Sequence, residues 1–203
     1  MKITDIQNQK KNKNRVSVFV DGEYSFSLED TDMVRLKVKI GNEITKEDIE
    51  NYNRECNLTK AKNRVMDIIN RRLLPKKAVI DDLIKRGFDK QIATEAAKEF
   101  ENLGYIDDYF FASEYAKDAF EYKKHGKLRI INDLCQKGIA KDIAKDVLDE
   151  LELNEKDNLL YILKSRFANT DFSDFKEKNK VIRYFATRGY NISDIMSAID
   201  KLK

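Results

Sequence analysis

A mainly α-helical protein, built of tandem three-helix repeats in an elongated array behind a small N-terminal β module, is what this sequence predicts. Three observations carry that prediction. A ten-residue block occurs three times, as VIDDLIKRGF at 79–88, IINDLCQKGI at 130–139 and VIRYFATRGY at 181–190, with Gly87, Gly138 and Gly189 spaced 51 residues apart. Around each block, apolar residues recur at the helical period. The first 28 residues instead alternate apolar and polar positions, as half-buried strands do. A repeat of this size is the signature of stacked supersecondary units.

The β module comes first. RVSVFV at 15–20 and EYSFSL at 23–28 flank Asp21-Gly22, a pair that tolerates positive φ and predicts a hairpin. KITDI at 2–6 can pair as a third strand, giving a small meander. The connection NQKKNKNR at 8–15 carries four cations and no acid. It reads either as a solvated loop or as a basic fingertip for phosphates. A short helix is expected over 28–37, capped by Asp30 or Thr31, followed by a turn at Gly41-Asn42. Thr45, with Asp48 three residues on, resembles a capping box. It opens a helix from 46 to about 57 that links the module, residues 1–57, to the repeats.

Each repeat is expected to hold three helices. The first carries Ala61, Val65, Ile68, Ile69 and Arg72 in copy one. Phe111, Tyr115, Ala119 and Tyr122 supply it in copy two, and Leu159, Leu160, Leu163 and Phe167 in copy three. The second helix is the block itself. Val79, Ile130 and Val181 coincide there, as do Ile80, Ile131 and Ile182, then Leu83, Leu134 and Phe185. Arg86-Gly87, Lys137-Gly138 and Arg188-Gly189 end it, with Phe88, Ile139 or Tyr190 folding back onto the last turn. In the third helix Ala96, Val147 and Ala198 align, then Ala97, Leu148 and Ile199, then Phe100, Leu151 and Leu202. Pro75 suits a first helical position. Gly104 ends the last helix of copy one, and Asp107-Asp108 caps the next. The copies then occupy 58–106, 107–153 and 154–203. Units of this size bury little surface alone, so neighbours should lean on each other in a row.

Composition narrows the class. A charged fraction of 37% and a single proline fit a soluble helical protein, while a net charge of +3 and a pI of about 8.6 decide nothing about partners. Cys56 and Cys135 are too few for a disulfide framework. Cys135 aligns with Ile84 and Ala186 and reads as a small core residue in a reducing setting. MKITDIQNQKK lacks the apolar run of a signal peptide, and no stretch is long enough to cross a bilayer. A cytoplasmic protein without a membrane partner is expected.

The charge is uneven. Lys60, Lys62, Arg64, Arg71, Arg72, Lys76 and Lys77 meet only Asp67 across 60–77, and basic ground recurs over 123–137 and 176–188. Lys76, Lys127 and Lys178 align at the start of the second helix, where a cation opposes the helix dipole. They read either as a stripe facing phosphates or acidic protein, or as ordinary solvated lysines. Arg86, Lys137 and Arg188 align at its end, where complementation of the dipole explains them.

No catalytic constellation is legible. There is no phosphate-binding loop or dinucleotide fingerprint and no Cys/His spacing for zinc. The one histidine, His125 in KKHGK, reads as a solvated loop residue, so a nucleophile with a base and an orienting acid cannot be assembled. A binding protein is expected rather than an enzyme. A DNA-reading helix-turn-helix fits the glycine loosely, but it wants apolar residues where Asp82 and Arg86, Asp133 and Lys137, and Arg188 stand; Tyr184 alone suits it.

The chain resembles the RecX family, bacterial regulators of the RecA recombinase. The resemblance covers essentially the whole length, through KKNKNRVSVFVDGEYSFSL, AKNRVMDIINRR, LIKRGF, LGYIDDYFFASEYAKD at 103–118 and HGKLRIINDLCQKGI at 125–139. Leu74-Pro75 departs from it, standing where many relatives carry a more polar helix start. The resemblance implies tandem three-helix repeats, no cofactor and no catalytic residue. It implies binding along the groove of a RecA–single-stranded DNA filament, with modulation, usually inhibition, of ATP hydrolysis and strand exchange. Three units in a row would engage neighbouring RecA subunits together, making modest contacts strong. Contact is then expected at Arg71, Arg72, Lys76, Lys123, Lys124, Lys127, Arg129, Lys178, Lys180 and Arg183, in a monomeric chain. The alternative is a nonspecific nucleic-acid-binding protein that acts without RecA and shows a steep salt dependence.

Overall fold

The computed structural model describes residues 1–10 and 14–201. Lys11 and Lys13 of the expected fingertip, and Leu202 of the third-helix register, lie outside the described residues. The fold divides into two compact units, Met1–Arg72 with Val79–Tyr105, and Leu73–Ala78 with Ile106–Lys203.

In the first unit β1 (Ile3–Asn8), β2 (Arg15–Val20) and β3 (Glu23–Glu29) form an antiparallel sheet in that order. Alternation sends Val16, Val18, Val20, Phe26 and Leu28 to one buried face. Asp21 and Gly22 make the hairpin turn at φ +50° and +90°, which matches the twist of the paired strands. The turn at Gly41-Asn42 covers the outer edge of β1: Ile3 N–H donates to the Asn42 carbonyl at 2.9 Å, and Gly41 N–H to the Ile3 carbonyl at 2.8 Å. The short helix α1 (Asp30–Arg35) follows β3 directly. Its cap position is Glu29 and no side chain caps it. Asp30 and Thr31 are therefore not caps: strand pairing runs to Glu29, and the Asn14 carbonyl takes the Asp30 N–H at 3.1 Å.

Thr45 and Asp48 form the capping box of α2 (Lys46–Ile69), each accepting the other's main-chain N–H. The helix does not stop near residue 57. No glycine or proline interrupts it, and it serves two cores in succession. Cys56 and Tyr52 pack on the sheet, then Ala61, Val65 and Ile68 are buried a few turns on. Arg72 lies beyond its end. Helices α3 (Lys76–Lys85) and α4 (Lys90–Asn102) follow, burying Val79, Leu83, Ala93, Ala96, Ala97 and Phe100.

The second unit holds α5 (Asp108–Glu121), α6 (Lys127–Gln136) and α7 (Lys141–Glu150) around one core, and α8 (Glu155–Arg166), α9 (Phe175–Thr187) and α10 (Ile192–Asp200) around another. The buried stripe of α5 is Ala112, Ala116 and Ala119, small residues that let its neighbours approach closely. Phe111 and Tyr115 flank that stripe, and Tyr122 is 80% exposed rather than part of the face. All three blocks close alike. Phe88, Ile139 and Tyr190 donate N–H to the carbonyls of Leu83, Leu134 and Phe185 at 3.2, 3.1 and 3.2 Å across a positive-φ glycine, the expected helix stop.

Cys135 is exposed and is not a core residue. It stands one place beyond buried Leu134, on the outer side of the helix, and its counterpart Ile84 is also exposed. Cys56 is the buried cysteine. Burial is the largest influence pushing its thiol up to about 12, so it packs rather than reacts.

Candidate nucleic-acid interface

In the second unit, the end of one block seats the start of another helix. Gly126 N–H donates to the Arg188 carbonyl at 2.8 Å, and Leu128 N–H to the Gly189 carbonyl at 3.3 Å. In return, Arg188 Nη1 donates to the Lys123 carbonyl at 3.2 Å and the Tyr190 hydroxyl to the Lys124 carbonyl at 2.9 Å. A Cβ on Gly126 would press on the Gly189 carbonyl, and one on Gly189 on the Arg129 backbone. Glycine is thus required here for close approach as well as for the helix stop.

The helix starts are capped from outside. Lys127 N–H donates to Glu155 Oε1 at 2.8 Å, and Lys76 N–H to Asp108 Oδ1 at 2.7 Å. Asp107 alone caps α5, accepting from Phe110 N–H at 2.9 Å. The two aspartates, expected to cap one helix, therefore serve two. Carboxylates at these helix starts also offset the dipole cost expected of Lys76 and Lys127. Lys178 does not begin a helix, because α9 starts at Phe175 under the Asp174 cap.

A three-residue contact recurs on the 51-residue register. In copy one Arg64 Nε and Arg86 Nε lie 3.5 and 2.8 Å from Asp82 Oδ2, and the Arg86 hydrogen bond holds the Asp82 carboxyl below its ordinary pKa. In copy two the Tyr115 hydroxyl donates to Asp133 Oδ2 at 3.2 Å, and Lys137 Nζ stands 5.1 Å from the Tyr115 ring centroid. In copy three Arg166 and Arg188 lie 4.9 and 4.6 Å from the Tyr184 ring centroid, within cation–π reach.

His125 is not a solvated loop residue. Its side chain is 19% exposed, with Nδ1 3.6 Å from Asp133. Burial, with help from Arg129, Arg188 and Lys123, lowers its pKa below the ordinary value despite the opposing pull of Asp133.

The expected contact residues separate into groups. Lys123 and Arg129 line a groove of about 490 Å³ with Tyr115, His125 and Lys137. Lys180 and Arg183 line another of about 550 Å³ along α9, with Phe175, Lys176 and Tyr184. Arg129 Nη1 donates to the carbonyl of Thr187, which lines the second groove, at 3.4 Å, so the two adjoin. Lys124 points elsewhere, with Nζ 5.5 Å from the Tyr161 ring centroid. Lys76, Lys127 and Lys178 are half-buried, and Arg71 and Arg72 are exposed in the connection before α3. In the basic run of copy one, Lys62 and Arg64 are already paired with Glu99 and Asp82. Sequence reasoning missed the tyrosines of this surface; the register at 64, 115 and 166 was the signal that could have found one of them. Among the described residues, no cluster of His, Cys, Asp and Glu could hold a metal ion, and no helix is long and apolar enough to cross a membrane.

Family models match the chain in three places: the regulatory protein RecX N-terminal domain at residues 1–45, the second RecX three-helix domain at 107–148 and the third at 154–199. Together they span more than half of the chain. The chain belongs to the RecX family. A regulatory protein RecX from Clostridium botulinum (strain Alaska E43) is 28% identical over 202 residues, covering 98% of this chain and 94% of that one. The RecX of Listeria monocytogenes serovar 1/2a is 31% identical over 150 residues, covering 74% of this chain and 56% of its own. A crystal structure of a regulatory protein RecX superposes with a TM-score of 0.72 at 22% identity over 98% of both chains, a likeness of fold.

Proposed function

We propose that this chain is a non-enzymatic regulator that binds the RecA–single-stranded DNA filament and inhibits its ATP hydrolysis and strand exchange in recombination and repair. Membership of the RecX family, matched at three separate stretches, carries the reading. The adjoining grooves with Lys123, Arg129, Lys180 and Arg183 support it by supplying cations for phosphates. The chain acts as a cytoplasmic monomer without a cofactor. Its helical units at 58–106, 107–153 and 154–203 engage the filament together, and Arg71, Arg72, Lys76, Lys124, Lys127 and Lys178 add contacts outside the grooves. Tighter binding to one filament state than another shifts hydrolysis and disassembly.

The test is RecA's single-strand-dependent ATP hydrolysis with the chain titrated from well below to above the RecA concentration. Loss of hydrolysis at a small fraction of RecA is the expected result. Unchanged hydrolysis at excess chain would overturn the inhibitory reading.

A further inference from the structure

The three copies supply an internal comparison. At one register position on the second helix, copies one and two carry Asp82 and Asp133, and each carboxylate already binds its neighbouring cations: Arg86 at 2.8 Å in copy one, Arg129 at 3.0 Å in copy two. Copy three has Tyr184 there. Its ring orients Arg166 and Arg188 without neutralising either. Among the described residues, no carboxylate pairs with Arg166, Arg183 or Arg188. Lys180 has only Glu177, at 3.8 Å and well exposed. In copy two Asp133 shares its groove with Lys123, Arg129 and Lys137, whereas the groove along α9 in copy three is lined by Lys176, Lys180 and Arg183 with no carboxylate among its lining residues. Its groove also carries Phe175, a ring that is 78% exposed.

Cations beside an exposed ring are what a single strand needs, since phosphates take the charge and a base takes the ring. Guanidinium groups suit phosphate oxygens in particular. An acidic protein surface would use the cations but leave the outward ring without a role. We propose that the α9 face of the third repeat is a contact site for single-stranded nucleic acid. Lys180 and Arg183 take phosphates and Phe175 stacks a base, while Asp82 and Asp133 put a carboxylate at the equivalent position of the other two copies. This deepens the single-strand contact in the proposed function, and its test leaves RecA out so that the two can fail separately.

The full chain is titrated into a fluorescein-labelled oligothymidylate at low salt and followed by anisotropy, then again at rising salt. The double variant Lys180→Glu/Arg183→Glu, at two exposed positions, is expected to bind at least about tenfold more weakly, with a shallower salt dependence. Phe175→Ala is expected to lose about fivefold or more. The control Lys141→Glu/Lys145→Glu makes the same change in net charge at exposed positions of α7 and is expected to stay within about twofold. Equal weakening by the two double variants overturns the site, as does an oligonucleotide that does not bind at low salt. A Phe175→Ala chain that binds like the parent overturns the stacking role. Inhibition of RecA that persists in any of these cases leaves the filament reading standing.

Discussion

Glu155, at the start of α8, accepts the main-chain N–H of Lys127 at the start of α6 at 2.8 Å. A residue of copy three thereby caps a helix of copy two. Asp108 does the same for Lys76 at 2.7 Å, so the device occurs twice. Burial raises the pKa of Glu155, with the Lys127 N–H opposing. Removing the cap with Glu155→Ala is expected to cost about 1 kcal/mol. Glu155→Gln, which keeps an acceptor oxygen, is expected to cost less. Urea denaturation of both variants measures the difference, and equal losses would remove the cap as the source of the stability.

The glycines offer a second comparison. Gly87 and Gly189 both sit at positive φ, but nothing lies within 4 Å of a Cβ built on Gly87, whereas one on Gly189 overlaps the Arg129 backbone. Gly87→Ala should therefore show only the left-handed strain, about 1–2 kcal/mol. Gly189→Ala should add an overpacking cost of roughly 1–3 kcal/mol. If thermal or chemical denaturation gives the same loss for both, the α6–α9 junction relaxes freely.

The repeated glycine block and its helical period placed the buried residues of the second helices and two full columns of the third, because burial there follows the 3.6-residue period. Ala93, Ala144 and Ile195, one turn earlier in each third helix, are buried as well and were not among them. The hairpin was equally legible from Asp21-Gly22 and the alternation beside it. What alignment gave was equivalence between copies, not the direction each side chain faces. Cys135 was misplaced for that reason, since its column also holds exposed Ile84. The length of α2 was hidden because an unbroken helical pattern looks the same whether one core or two receive it. The contacts at Asp82, Asp133 and Tyr184 were obscured by their chemistry, which changes from ion pair to hydroxyl hydrogen bond to ring while the positions stay fixed. His125 is hidden in the sequence because KKHGK is polar as a string, yet Arg188 and Tyr190 from a distant block hold the carbonyls of Lys123 and Lys124 just before it.

His125 gives a pH dependence with a definite sign. Burial lowers its pKa in the folded chain, while the unfolded chain takes up the proton at the ordinary value of 6.5. As pH falls through that value, the unfolded state binds more protons than the folded state, so the contribution of this group to stability falls with pH. The groups facing it are Asp133 and Arg129 of α6, Lys123 of the preceding loop and Arg188 after α9. His125→Gln removes the titration. Stability measured between pH about 7.5 and about 5.5 should fall more steeply for the parent than for His125→Gln. Parallel slopes would sink the assignment.

The aligned lysines can be weighed against the groove. Lys76 and Lys127 hold positions where Asp108 and Glu155 already take the main-chain N–H, and Lys178 lies within α9 but outside its groove. None of the three is needed for a helix to form, so the triple variant Lys76→Glu/Lys127→Glu/Lys178→Glu should keep its far-ultraviolet circular dichroism. It should weaken co-sedimentation with RecA-coated single strands by removing contacts outside the grooves together with their field, which salt screens. Lys180→Glu/Arg183→Glu reverses fewer charges, yet it removes exposed cations that line the groove, and phosphate contacts there outweigh those of half-buried lysines outside it. The double variant should therefore release the filament at lower salt than the triple. The opposite order would move the contact surface from the α9 groove to the helix starts, and retention of full co-sedimentation by the triple variant would remove Lys76, Lys127 and Lys178 from it.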